Sequence, residues 1–246
     1  SLETVHLYSQ AAKLAFADRN RYLADSDFVH VPVNEYLQPG YLTQRRKLIS
    51  IEKDLGKAAP GVLGTDLYAS NTSIEQPNTS HISIVDQFGN ALSMTTSIEM
   101  GFGSTVMVGG FLLNNQLTDF SFNPKKNGLW VANRVEGGKR PRSSMTPVII
   151  YKNGELFAVI GSPGGSRIIN YVGYALVGLL DYGLDMQAVV DAARISNRNG
   201  STSLEKNTRV AELKAKLEKM GHKVRITNMT SGIHGILKTK NGWQGA

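Results

Sequence analysis

The chain has 246 residues, 41% of them hydrophobic and 19% charged, enough for one large domain or two small ones around a sizeable core. It contains no cysteine, which excludes a disulfide framework, a thiol nucleophile and a cysteine–zinc site. Its net charge of +7 comes without a zinc-finger, RNA-binding or helix-turn-helix signature, so the excess reads as a solvated surface and no nucleic-acid partner is expected.

Val5, Tyr8, Ala11, Ala12, Ala15 and Phe16 fall near helical spacing, which predicts an amphipathic helix over residues 1–17. No basic, apolar leader precedes it, and the opening and the end at Trp243-Gln-Gly-Ala246 read as those of a piece of a longer chain. From Asp18 to Gly56 the composition is mixed and charged, and Pro32, Pro39 and Gly40 are expected to break any long element. Lys57 to Asn78 is rich in Gly, Ser, Thr and Asn, with Pro60 and Pro77, and reads as a mobile connector.

The pattern changes at Thr79. His81 to Val85 alternates, Asp86 to Asn90 supplies turn residues, and Ala91 to Ile98 reads as a second strand. Val148–Tyr151 and Leu156–Ile160 flank Lys152-Asn153-Gly154, where Asn-Gly signals a hairpin. Helices are expected over about Ser166–Tyr182, Asp185–Ala193 and Arg209–Met220. The last places Val210, Leu213, Leu217 and Met220 on one stripe, with Gly221 as its stop. The most apolar run, Tyr171 to Leu180, is broken by two glycines and falls short of the roughly 18 residues of a membrane span. Val224–Ile226 and Ile233–Leu237 close the chain as strands. Strand pairs, then helices, then strands is an α+β order rather than βαβ alternation.

Four segments carry candidate chemistry. At Gln76-Pro-Asn-Thr79 the connector runs into a Thr at the start of a strand. Such a Thr can attack the preceding carbonyl, release a new chain start, and then use its own α-amine as general base. On spacing alone a hydroxyl-rich loop before a strand explains this junction more simply, and Asn78-Thr79-Ser80 also reads as a glycosylation sequon. In Gly161-Ser-Pro-Gly164-Gly165-Ser-Arg167, paired glycines between a strand and a helix allow close backbone approach, suiting an oxyanion hole, a phosphate or a tight turn alike. It lacks the Lys-Ser/Thr of a P-loop and the spaced glycines of a dinucleotide turn. Asn114, Asn115, Gln116 and Asp119 combine amides with a carboxylate, which suits an ammonium group or a turn. Ser143 and Ser144, after Lys139-Arg-Pro-Arg142, suit a carboxylate or a basic loop. His6, His30, His81, His222 and His234 are scattered without metal-ligand spacing, and each is assigned a core or surface role. There is no Gly-x-Ser-x-Gly elbow. No metal and no cofactor is expected.

In order and spacing, Asn78-Thr79-Ser80-His81, Phe111 to Phe120, Lys139 to Met145 and Gly161 to Arg167 resemble the blocks of the gamma-glutamyltransferase (gamma-glutamyl transpeptidase) family. Leu14-Ala-Phe-Ala-Asp-Arg19 is similar to the end of that family's large subunit. The resemblance implies a four-layer αββα sandwich of the N-terminal-nucleophile hydrolase type. It implies a precursor cut between Asn78 and Thr79, so that 1–78 is the end of the large subunit with its connector and 79–246 the small catalytic subunit of a heterodimer. Thr79 is then the nucleophile, Ser97 the hydroxyl that orients it, and the N–H groups of Gly164 and Gly165 the oxyanion hole. Glu99, Gln116 and Asp119 hold the substrate's α-amino end, and Ser143 and Ser144 its carboxylate.

The implied reaction takes a γ-glutamyl group from glutathione-like amides and passes it to water or an amino acid. The alternatives are an acylase of glutaryl-cephalosporin or poly-γ-glutamate, or a non-catalytic, unprocessed relative. A periplasmic or secreted location follows from the same resemblance. Ser80 and Ser97 stand where Thr is usual, and Glu99 stands where several members have Asn. The Arg that clamps the substrate carboxylate in the family has no counterpart in this sequence, so poor turnover is expected of these 246 residues alone.

Overall fold

The computed structural model describes residues 1–64, 68–71, 78–229 and 231–246. The rest of the expected connector, 65–67 and 72–77, lies outside the described residues. The helices are α1 Leu2–Tyr22, α2 Val33–Tyr36, α3 Pro39–Arg46, α4 Ile168–Leu180, α5 Met186–Asp191 and α6 Lys214–Lys219. The first strands are β1 Thr79–Val85, β2 Ala91–Ser97, β3 Met107–Val108, β4 Phe111–Leu112, β5 Lys125–Lys126 and β6 Leu129–Trp130. They continue as β7 Val148–Lys152, β8 Glu155–Gly161, β9 Ile195–Ser196, β10 Thr202–Glu205, β11 Val224–Thr227, β12 His234–Thr239 and β13 Gly242–Gly245. The chain divides into two compact units, and neither is a continuous stretch of sequence.

One unit comprises Ser1–Ile74, Leu117–Ser143 and Ile195–Thr227. The Ser1 hydroxyl caps α1 by accepting from the Thr4 N–H. The helix runs to Tyr22, five residues beyond the expected end, because its charged last turn finds partners instead of solvent. The Asp18 carboxylate accepts from Tyr41 (2.6 Å), Arg45 (3.1 Å) and the Gly61 N–H (2.6 Å). Pro39 occupies the first turn of α3, where its missing N–H costs nothing, so it begins an element where a break was expected. A three-stranded sheet of order β11-β10-β9 pairs β10 with β11 in parallel. The predicted helix over 209–220 forms as a 3-10 turn at Arg209–Leu213 followed by α6, with Leu217 buried and Gly221 at φ +92° just past its end.

The second unit comprises Glu75–Gln116, Ser144–Arg194 and Asn228–Ala246. Its centre is an antiparallel sheet of order β13-β12-β8-β7. The β7–β8 turn has Asn153 and Gly154 at φ +54° and +82°, as the Asn-Gly signal requires. Helices α4 and α5 cover one face, where Ile160, Ile168, Tyr171, Val172, Met186 and Val189 form the core with Leu237. Against the other face lies the β1–β2 hairpin, in register from Thr79↔Ser97 to Val85↔Ala91. Its alternation is inverted relative to a simple amphipathic strand. The side facing the sheet carries His81, Ser83, Ser93 and Thr95, while Ile82, Ile84, Leu92 and Met94 are 39–49% exposed.

Candidate active site

Hairpin register places Thr79 directly opposite Ser97. The Thr79 Oγ1–H donates to Ser97 Oγ at 3.5 Å, and Ser97 donates in turn to the carbonyl oxygen of Asn78 at 3.0 Å. Ser97 Oγ also accepts the Glu99 N–H at 2.9 Å. One hydroxyl thus uses its single proton and both lone pairs. Its acceptor is the carbonyl that a nucleophilic Thr79 would attack.

Glu99 follows in a left-handed conformation, φ +74°, which is costly for a non-glycine residue and marks a constrained position. Its side chain is buried at 2% exposure, and Oε2 accepts from Gln116 Nε2 at 3.2 Å. The intervening loop is tied back by two bonds through Asn115: its N–H to the Ile98 carbonyl, and its Oδ1 to the Met100 N–H. Gly103 is required there, because a Cβ would stand 2.2 Å from the Leu113 carbonyl oxygen. Gly164 (φ +137°) and Gly165 (φ +57°) make the turn from β8 into α4, backbone angles that an L side chain resists. Ser144 is buried, and its carbonyl accepts from Thr146 Oγ1 at 2.9 Å.

Thr79, Ser97, Glu99 and Gln116 are therefore joined by one chain of hydrogen bonds and hairpin register. Gly164, Gly165 and Ser144 belong to the same compact unit. Asp119 and Ser143 belong to the other unit. There Asp119 is buried in a 3-10 turn, and its carbonyl accepts from Asn133 Nδ2 at 2.8 Å. The same Asn133 side chain accepts the Arg142 N–H at 3.0 Å through Oδ1. Sequence reading passed over Asn133; its role is visible only once two segments nine or more residues away from it are brought to its two ends. It also left His81 and His234 as core or surface residues. His81 is buried, and burial first, then the nearby His234, lowers its pKa to about 4, so the ring is neutral. Among the described residues, no group of three His, Asp or Glu side chains is placed to hold a metal, and no helix is long and apolar enough to cross a membrane.

A two-sheet α+β unit with a hydroxyl at the head of one strand and paired glycines at a strand-to-helix turn has the fold of the N-terminal-nucleophile hydrolase type. The gamma-glutamyltranspeptidase profile matches residues 1–246, and the chain belongs to that family. It is 35% identical over 233 residues to the glutathione hydrolase proenzyme of Bacillus subtilis, a match covering 91% of this chain and 39% of that protein. A mutant gamma-glutamyltranspeptidase of Helicobacter pylori aligns with TM-score 0.60 and 36% identity over 68% of this chain and 96% of its own. A cephalosporin acylase from Bacillus halodurans aligns over 100% of this chain and 43% of its own, with TM-score 0.82 and 26% identity. The chain spans about two-fifths of the length of the curated relatives it matches.

Proposed function

We propose that this chain is the self-processing, catalytic portion of a γ-glutamyl hydrolase/transferase with Thr79 as its nucleophile. The observation that carries the reading is the Ser97 hydroxyl, which takes a hydrogen bond from Thr79 and gives one to the Asn78 carbonyl oxygen. Attack of Thr79 Oγ1 on the Asn78 carbonyl carbon forms a C–O bond. The Thr79 proton passes to Ser97 while the Ser97 proton passes to the carbonyl oxygen, so the tetrahedral intermediate carries no net charge. Collapse breaks the Asn78–Thr79 C–N bond, returns a proton to the Thr79 nitrogen and leaves an ester. Water hydrolyses it, separating 1–78, the end of a large subunit, from a small subunit that begins at Thr79.

The freed amine then serves as general base for the Thr79 hydroxyl against a glutathione-like amide. The N–H groups of Gly164 and Gly165 receive the oxyanion. Glu99 and Gln116 take the substrate's ammonium group and Ser144 its carboxylate. Family resemblance alone assigns Asp119 and Ser143 to those same two ends. The acyl group leaves to water or to an amino acid, and the two subunits remain a heterodimer. The proposed location is periplasmic or secreted.

Purified protein should yield a fragment whose mass and first residue place its start at Thr79, and Thr79→Ala should stay whole. A wild type that stays whole yet hydrolyses a γ-glutamyl anilide would refute the mechanism; one that neither cuts nor hydrolyses would be a non-catalytic relative. The likeness to a cephalosporin acylase over the whole of this chain and 43% of that one supports a second reading as a glutaryl-amide or poly-γ-glutamate acylase. Comparing turnover of glutathione with that of a glutaryl amide lacking the ammonium group separates the two.

A further inference from the structure

His234, the first residue of β12, lies between two carbonyl groups. Its Nδ1 is 2.8 Å from the Gly232 oxygen, and its Nε2 is 2.6 Å from the oxygen of His81 on β1. A carbonyl oxygen only accepts, and a neutral imidazole has one N–H. A neutral His234 would aim the lone pair of its second nitrogen at an oxygen lone pair, whereas the imidazolium donates to both. The His81 ring, 5.1 Å away, is served differently. Its partners are the hydroxyls of Thr95 (2.8 Å) and Ser83 (3.0 Å), each able to give or take a proton, so a neutral ring is fully satisfied.

We propose that His234 is a positioning residue, pinning the His81 carbonyl of β1 to β12 as an imidazolium and so setting where the Thr79 hydroxyl stands two residues earlier. Side chains two apart on a strand share a face, so a shift of β1 at His81 is felt at Thr79. The proposal rests on the reading of Thr79 as nucleophile. From β1 the titratable group facing His234 is His81. From β8 its register partner is Gly161, which has no side chain. On the segment leading into β12, Ser231 carries the Arg194 guanidinium on its Oγ. None of these is a carboxylate, so the two carbonyl dipoles are what hold the charge. When the ring gives up its second proton the pin loses a donor, and Thr79 is placed less well.

Nitrogen-15 NMR of histidine-labelled wild-type protein reads the proton count directly and needs no variant. Both His234 nitrogens should carry protons at neutral pH, and a single-N–H tautomer there would overturn the assignment. The second measurement is the pH profile of Thr79-fragment release. Wild type should slow on the alkaline side as His234 loses its second proton. His234→Gln, whose amide sits near the Nε2 position and donates at every pH, should stay within about threefold of wild type at neutral pH and lose that limb. His234→Asn reaches only the Nδ1 position and should be slower by about tenfold or more at every pH. An unchanged alkaline limb in the Gln variant would overturn the proposal. If wild type shows the imidazolium but never releases the fragment, it is the Thr79 reading that fails, and the pin stands on the spectrum.

Discussion

Ser97 is the residue on which the proposed chemistry turns, because that chemistry uses its hydroxyl both to relay a proton and as a fixed donor. Ser97→Ala leaves the hairpin ladder intact, since only a side-chain hydroxyl is removed, but takes away the donor that meets charge building on the Asn78 oxygen. Loss of one such donor costs on the order of 3–4 kcal/mol of barrier, so Thr79-fragment release should slow by about 10²–10³-fold, read by mass spectrometry over time. Ser97→Thr keeps the hydroxyl and should stay within about tenfold of wild type. Asn133 acts at the same scale without touching any candidate nucleophile. Asn133→Ala strips a partner from both the Asp119 carbonyl and the Arg142 N–H, each costing about 1–3 kcal/mol if left unpaired. Thermal unfolding should shift downward by several degrees, and an unchanged midpoint would mean that water replaces the amide at both ends. Thr79 drew attention as a hydroxyl at the start of a strand and Ser97 only through the family resemblance, and it is the hairpin register that sets the two opposite each other. Asn133 was not legible, because a side chain that bridges two segments leaves no periodicity or spacing of its own.

Alternation found β1 and β2, and Asn153-Gly154 found the β7–β8 turn, because strand period and turn type are local properties. What alternation cannot tell is which face is inside. The ordinary expectation puts Ile82, Ile84, Leu92 and Met94 in the core, yet they face outward and the polar row faces the four-stranded sheet. The inward row is tolerated because it is hydrogen-bonded: His81 to Thr95 and Ser83, and Ser93 Oγ to the Ile160 carbonyl. The end of α1 and the start of α3 were misjudged for a related reason. Charged residues at 18 and 45, and a proline at 39, read as interruptions until their tertiary partners are known. The close approach of hairpin and sheet depends on Gly161, where a Cβ would stand 2.1 Å from the His81 ring. Gly161→Ala should therefore push His81 out of its bonds, destabilise the protein by about 1–3 kcal/mol and slow fragment release as well. Normal release with an unperturbed His81 ring in the NMR spectrum would show that hairpin and sheet separate without consequence.

Across the whole molecule, each compact unit keeps a buried neutral histidine, and this sets its response to acid. In one unit it is His81. In the other it is His222, whose Nδ1 lies 3.0 Å from Thr202 Oγ1 and whose Nε2 lies 2.7 Å from His6 Nδ1; His6 Nε2 then reaches the Ser50 carbonyl at 2.8 Å. A neutral His222 ring is satisfied there, accepting a hydrogen bond on one nitrogen and donating one from the other. Burial first, with Lys13 and His6 adding to it against the opposing pull of Asp54, lowers His222 to about 4. Both histidines thus sit near 4 in the folded protein, against 6.5 when exposed. Between those values the unfolded chain binds protons that the folded chain refuses, so stability falls as pH falls. Above 6.5 neither state is protonated, below 4 both are, and the slope vanishes at either end. The loss is at most about 3 kcal/mol per histidine, and less where solvent screens the ring. Unfolding midpoints should therefore drop by several degrees between about pH 6.5 and 4. His222→Gln should shallow that drop, since an amide cannot take up the proton, even if the variant begins from a lower midpoint at pH 7.5. An equal drop in the variant would place the acid sensitivity elsewhere than in His222.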